Sequence, residues 1–342
     1  PDTHVIDTPR IDRLIDKLAK LERYGVNVRR TPVVTGYYAW RVNAALERIR
    51  PDVIVAVSAA HKLAFIDRRW PIIYAADALY KSVITYYDKY SGTTEAQLAA
   101  GERVQRAFLE RADRVLIASE WGAASARQHY ALSETCLSVA PMGANLDCDP
   151  GFSPPDTDKS LSLLFVGYAW DRKGGPLVLE TWRELRRRGV NAELHIVGAE
   201  PAEARGLQGV VLHGRIDKSD PDQYRMIDTL YRQSHFFFMP GRQEAYGIVY
   251  CEAAAYGRPV VAAETGGIPS IVIDKLTGLV LPIEARPVDF ADRILAMWQD
   301  QPSYLAACHA ARSRFETVLN WQAWGDKVEA AIATLKDSVP LG

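Results

Sequence analysis

"HFFFMPGRQEAYGIVYCEAAAYGRPVVAAETGG", residues 235–267, reads as strand, loop, helix, strand and glycine turn in unbroken succession. Residues 235–240 form a continuous apolar run, the mark of a strand buried on both faces. The polar loop "GRQEAY" follows at its carboxyl end. A helix then starts near Gly247 and runs to about Tyr256, with Gly257 as its C-terminal cap. "RPVVAAE" is the next strand, and Thr265, Gly266 and Gly267 form the turn after it. Two strands joined through a helix lie parallel in one sheet. Two glutamates interrupt this scheme. Glu244 sits in the polar loop, and Glu252 sits in a run of Ile, Val, Tyr, Cys and Ala, where a lone carboxylate is costly unless something pairs with it.

Outward from this stretch the same alternation continues. "LSLLFVG", "AELHIVG", "GVVLHG" and "GLVLP" are further apolar runs between 160 and 282, most followed by Gly or Pro. In the first half, "DVIVAVS" (52–58), "PIIYAA" (71–76), "DRVLIAS" (113–119) and "CLSVAPMG" (136–143) are strand candidates, separated by helical stretches at 95–112 and 120–130. The Pro-, Gly-, Asp- and Ser-rich "NLDCDPGFSPPDTDKS" has linker composition. The fold class expected is therefore α/β, with two doubly wound Rossmann-like domains, 1–150 and 151–319, facing across a cleft. A terminal helix over 320–336 follows, with Trp321 and Trp324 as core contacts. In such sheets ligands bind at the carboxyl ends of the strands.

Bulk properties narrow the classes. A chain of 342 residues suits two domains. A formal net charge of −1, without a basic patch or recognition motif, argues against a nucleic-acid partner. Four cysteines without a CxxC pair read as reduced thiols, and a cytoplasmic location is expected. No apolar run reaches the roughly 18–20 residues of a membrane span, and no signal-peptide pattern is seen.

Three loops carry chemistry. The first turn of the helix after "GRQEAY" presents the N–H groups of Gly247, Ile248 and Val249, and the helix dipole makes that point an anion site. With Glu244 before it and Glu252 more than a turn inside, two acceptors flank an anion, which suits a molecule with hydroxyls, phosphates and hydroxyls in a row. The bland alternative makes Glu244 an ordinary helix-entry acid and Glu252 the buried partner of an arginine. In "LLFVGYAWDRKGG", Gly167 ends a strand and Arg172 with Lys173 place two cations beside a Gly-Gly turn, ready for a diphosphate or simply solvated. In "AETGGIPSI", Gly266 and Gly267 make either a nest of N–H groups or an ordinary turn.

Residues 160–282 resemble the C-terminal domain of glycosyltransferase family 4, retaining nucleotide-sugar transferases of GT-B fold. The matching segments are "FVGYAWDRKGG", "VVLHGRI", the stretch from "HFFFMPG" to "GGIPSIV", and "DKLTGLVLP". Glu244 and Glu252, seven residues of spacing apart, match that family's paired-glutamate motif. "ERADRVLIASEWGAASARQHY" and "VAPMGANLD" extend the likeness into the first half. The resemblance implies that Glu244 contacts the donor sugar with the N–H groups of Ala245, Tyr246 and Gly247, and that Glu252 holds the ribose diol. Lys173 neutralises the diphosphate, Ile248 and Val249 bind phosphate through their N–H groups, and main-chain groups at Arg215 and Ile216 meet the base. The terminal helix is implied to cross back to the first domain.

Three departures from the family pattern stand out. Tyr168 occupies the place of an arginine, so that either Arg172 replaces it or the diphosphate is held with one cation fewer. Ala76 stands where a histidine is usual, leaving Asp77 to face sugar or acceptor. The family's first strand and glycine-rich loop are expected ahead of "HVID", in a segment of very roughly 40 residues.

The reaction implied is retaining transfer of a hexose from a nucleoside-diphosphate sugar to a saccharide or lipid-linked acceptor, with no convincing nucleophile and no metal or other cofactor. The Asp-x-Asp spacings, Asp156/Asp158 and Asp220/Asp222, read as caps, and His195, His213 and His235 as strand histidines. Two other readings keep the fold: a nucleotide-sugar epimerase, and a nucleotide-sugar-binding subunit without turnover. An oxidoreductase ranks last because no GxGxxG follows a strand. "RIDRLIDKLAKLERYGVNVRR" (10–30) is either a basic amphipathic helix touching the inner membrane face or a helix packed on its own domain.

Overall fold

The computed structural model describes residues 2–6, 9–18 and 27–338. The chain divides into two compact units: residues up to Ala140 with those from Asp326 on, and Pro141–Gly325. Each is built on one parallel sheet flanked by helices.

In the first unit the strands are β1 (Ile54–Val57), β2 (Ile72–Ala76), β3 (Arg114–Ile117) and β4 (Leu137–Val139), side by side in that order. The helices are α1 (Pro9–Leu18), α2 (Pro32–Ile49), α3 (Ala60–Leu63), α4 (Tyr80–Tyr86), α5 (Glu95–Leu109) and α6 (Glu120–Tyr130). Phe108 of α5 packs edge-on against Tyr74 of β2 at 4.8 Å. The entry to α5 is set by a capping box, in which Thr94 accepts from the Gln97 N–H while its own N–H donates to Gln97 Oε1. Of the amphipathic helix expected over 10–30, residues 19–26 and the side chains of Arg10, Ile11 and Asp16 lie outside the described residues. Within α1, Ile15 is buried and Leu14 and Leu18 are exposed. Asp12 fastens α1 to its own unit by accepting from Lys62 at 2.7 Å and from the Tyr38 hydroxyl.

The second unit runs β5 (Leu161–Gly167), α7 (Gly175–Arg187), β6 (Ala192–Gly198), β7 (Val210–Leu212), α8 (Pro221–Gln233), β8 (Phe236–Phe238), α9 (Ile248–Ala255), β9 (Val260–Ala263), α10 (Ile268–Ile271), β10 (Gly278–Leu281), α11 (Pro287–Gln299) and α12 (Gln301–Thr317). The strand order is β10-β9-β8-β5-β6-β7. Counted from β5, this is the doubly wound order whose direction reverses between the first and fourth strands, and ligands sit at that reversal. Phe165, Phe236, Phe237 and Phe238 are wholly buried, as continuous apolar runs in a covered parallel sheet should be. Asp220 caps α8, accepting from the N–H groups of Asp222 and Gln223. The final helix, α13 (Trp321–Ser338), buries Val328, Ala331 and Leu335, and Thr334 accepts from Arg114 at 3.2 Å. Trp321 is not the core contact expected: it is 42% exposed and rests edge-on against Trp324. Among the described residues no helix is long and apolar enough to cross a membrane.

His61, His195, His213 and His235 all have lowered pKa values, with burial the leading cause in each. His235 shows why. Its Nδ1 accepts from the Ser162 N–H and its Nε2 lies 2.9 Å from the Asp156 carbonyl, a pairing that suits the neutral ring. A folded-state pKa below the unfolded value costs nothing above about pH 7. As pH falls through about 6.5 the unfolded chain takes up protons first, so stability declines. The thermal midpoint is therefore expected to drop steadily between about pH 7 and pH 5, and less steeply in His235→Gln. A flat profile in both proteins would contradict the assignment.

Candidate functional site

The loops that follow β5 and β8 meet at the sheet's point of reversal. After β5 the chain makes a tight turn, in which the Lys173 N–H donates to the Ala169 carbonyl and the Gly175 N–H to the Trp170 carbonyl. Gly174 has φ +79, and a Cβ there would collide with the carbonyl oxygen of Pro240, so only glycine lets the two loops close. A backbone hydrogen bond from Arg242 to the Arg172 carbonyl, 2.9 Å, locks them together. Gly167 leaves room beside the stem of Lys173.

This closure brings Lys173 onto Glu244. The ammonium donates to Glu244 Oε2, in a pair whose side chains are only 15% and 10% exposed. Arg172 stands 3.8 Å from the same oxygen and donates to the Gln243 carbonyl at 2.8 Å. Ala245 and Tyr246 are buried next to it, and the Tyr246 hydroxyl donates to the Met142 carbonyl. Gly247 has φ +101 and precedes α9. A side chain there would strike the Tyr250 ring. The N–H groups of Ile248 and Val249 lie in the first turn of α9, where a helix has no partner of its own to offer them.

Glu252, 3% exposed, is paired with a lysine rather than an arginine. Lys218 Nζ donates to its Oε1 at 2.7 Å and the buried Tyr231 hydroxyl to its Oε2 at 3.1 Å. Both partners escaped the sequence reading. Lys218 lies in the loop before α8, where a single Lys carries no pattern, and Tyr231 reads as a core residue of α8.

Of the two glycines after β9, Gly267 does not belong to an anion nest. Its N–H is donated to the carbonyl of Glu244 at 3.1 Å, so it anchors the Glu244 loop instead. Gly266 takes the left-handed conformation beside it, φ +51. Tyr168, in the place of the expected arginine, reaches the ends of β6 and β7: Arg215 lies over its ring at 5.6 Å, and its hydroxyl donates to the Ile216 carbonyl at 3.4 Å. Asp77 belongs to the first unit. It follows β2 in the first unit, where its carboxylate accepts from the Ala78 N–H and lines a separate cavity of about 620 Å³. The thiol nearest the cluster, Cys251, is pushed up to about 12 by burial and is inert as a nucleophile. Among the described residues no three His, Cys, Asp or Glu side chains converge as a metal site.

Residues 160–300 match the family model described as Glycosyl transferases group 1, and the chain is related to that family. A curated relative from Corynebacterium diphtheriae, named D-inositol 3-phosphate glycosyltransferase, is 24% identical over 284 residues, 76% of this chain. The chain spans less than two thirds of the length of the curated relatives it matches, 64% of that one. Among solved structures, a glycosyltransferase from Rickettsia africae ESF-5 superposes with a TM-score of 0.66 at 15% identity, covering 90% of this chain and 83% of that one. Anabaena Alr3699/HepE in complex with UDP gives 0.66 at 15% identity, covering 89% and 85%. The fold, two parallel sheets each flanked by helices, is that of a two-domain GT-B protein.

Proposed function

We propose that the protein is a retaining glycosyltransferase that moves a hexose from a nucleoside-diphosphate sugar to a saccharide or glycolipid acceptor. The observation that carries this reading is the meeting of Lys173 and Glu244 where β5 and β8 end, directly before the amino end of α9. A cation, an acid and the first-turn N–H groups of a helix side by side suit the junction of a diphosphate with a sugar. The curated relatives are named as glycosyltransferases and the Anabaena structure holds UDP, which supports a nucleotide-sugar donor.

In this reading Glu252 accepts from the ribose diol. Lys173, Arg172 and the N–H groups of Ile248, Val249 and Gly266 hold the diphosphate. Glu244 grips the sugar together with the N–H groups of Ala245, Tyr246 and Gly247, and Arg215 and Ile216 stand at the base end. Asp77 serves the acceptor. The acceptor oxygen bonds to the anomeric carbon on the face from which the diphosphate leaves. The anomeric C–O bond breaks with its electron pair passing to the diphosphate oxygen, and the acceptor's proton follows to the diphosphate. Lys173 and Arg172 stabilise the charge developing there, without a metal, and Glu244 supplies orientation.

The test is a thermal-shift panel of UDP-, GDP- and ADP-sugars on the full-length protein. A donor at a hundred times its Kd adds about 2.7 kcal/mol of apparent stability, and the donor that does so is expected to be hydrolysed slowly. Interconversion of the free sugar nucleotide without acceptor would make the protein an epimerase. Binding without hydrolysis or transfer would make it a carrier, and a product of inverted anomeric configuration by NMR would remove retention.

A further inference from the structure

One aromatic ring stands open at the ligand-binding end of the second sheet. Tyr168 directly follows β5 and is 63% exposed. Its ring lies across the end of β6, where a Cβ on Gly198 would come within 3.1 Å of it, and its hydroxyl reaches the Ile216 carbonyl beyond β7. Gly198 has φ +94, so glycine there suits both the backbone turn and the ring above it. Arg215 closes over the ring, its guanidinium carbon 5.6 Å from the centroid. An aromatic face fixed by its backbone at one end and its hydroxyl at the other is a platform on which a flat ring can stack.

Arg215 and Lys218 belong to one loop, between β7 and α8, and Lys218 donates to Glu252 at 2.7 Å. A ribose on Glu252 therefore has this loop beside it. With the diphosphate at Lys173 and the amino end of α9, the base leaves the ribose on the other side, toward the ends of β6 and β7. Arg215 meets it there with five N–H donors and no acceptor. Such a group favours an edge with two acceptors side by side. Guanine offers O6 and N7 in that arrangement, whereas adenine sets an amino donor beside N7 and uracil has an N–H donor beside O4. Asp217, two residues on, is engaged elsewhere: the Ser219 N–H and hydroxyl donate to it at 2.9 and 2.7 Å.

Resting on the nucleotide-sugar reading above, we infer that Tyr168 and Arg215 make the donor site selective for guanine. The base takes the face of Tyr168 that Arg215 now covers, and the guanidinium moves to the edge of the base and donates to O6 and N7.

Calorimetric titration of the full-length protein with GDP, UDP, ADP and CDP tests this. GDP is expected to bind about tenfold more tightly than each of the others. Arg215→Met should bring GDP to within about twofold of UDP. Arg215 is exposed, so its variant sacrifices no core contact. Tyr168→Leu should weaken GDP by about tenfold through lost stacking. Binding of UDP, ADP or CDP as tight as that of GDP, an undiminished GDP preference in Arg215→Met, or wild-type GDP affinity in Tyr168→Leu overturns guanine selection and leaves the donor reading standing. If none of the four diphosphates binds, the donor reading falls and guanine selection falls with it.

Discussion

Replacing Lys173 with methionine is expected to cut donor turnover by about two to three orders of magnitude, the usual cost of losing one group that stabilises transition-state charge. The same change lowers stability. It strands the buried Glu244 carboxylate, and a broken buried pair costs about 3–5 kcal/mol. The lower end applies here, because Arg172 remains 3.8 Å from the carboxylate. Structural and catalytic roles separate in the double variant Lys173→Met/Glu244→Gln, which removes both charges and should regain most of the lost stability in urea unfolding. It should regain none of the turnover. Recovery of kcat/KM in the double variant would show that Lys173 acts only as the counter-ion of Glu244.

The second large effect belongs to Glu252. Each hydrogen bond from a ribose hydroxyl to a carboxylate is worth about 1.5–3 kcal/mol. Losing both in Glu252→Ala should weaken nucleoside-diphosphate binding by two orders of magnitude or more. A 2′,3′-dideoxynucleoside diphosphate supplies the control, since it lacks the diol and should bind wild type and variant almost equally. Lys218→Met should destabilise the protein, because it leaves a carboxylate that is 4% exposed with only the Tyr231 hydroxyl. Its effect on nucleotide affinity should be the smaller of the two. If the dideoxy compound discriminates as strongly as the ribose compound, Glu252 does not hold the diol.

Each strand described above falls on a run read from the sequence: β2, β8 and β9 are buried throughout and apolar throughout, while β1, β4 and β7, partly open to solvent, still carry enough Val, Leu and Ile to be read. The two acids were legible for the opposite reason: a carboxylate in an apolar run demands an explanation. What holds Glu252 was not. Lys218 reaches Glu252 from 34 residues away, and nothing in "DKSD" marks one lysine among the many on the surface. Gly267 looked like an anion donor because backbone N–H groups carry no sequence label saying where they point; the fold spends this one on Glu244. The helix α2 was not foreseen either. Val33, Val34, Thr35 and Gly36 are poor helix formers, and its buried face, Tyr38, Val42, Ala45 and Leu46, outweighs them. The cavity of the first unit gathers its lining from residues 27 to 105, a spread that no local motif records.

The close fit of Gly174 against Pro240 has a practical outcome for anyone re-engineering this site. The turn at 168–175 and the segment 241–247 act as a single interlocking cassette, so transplanting either from a homologue by itself would import a surface cut for a different mate. Chimeras should exchange the two together, and libraries that randomise one half should hold the glycine and its opposing carbonyl constant.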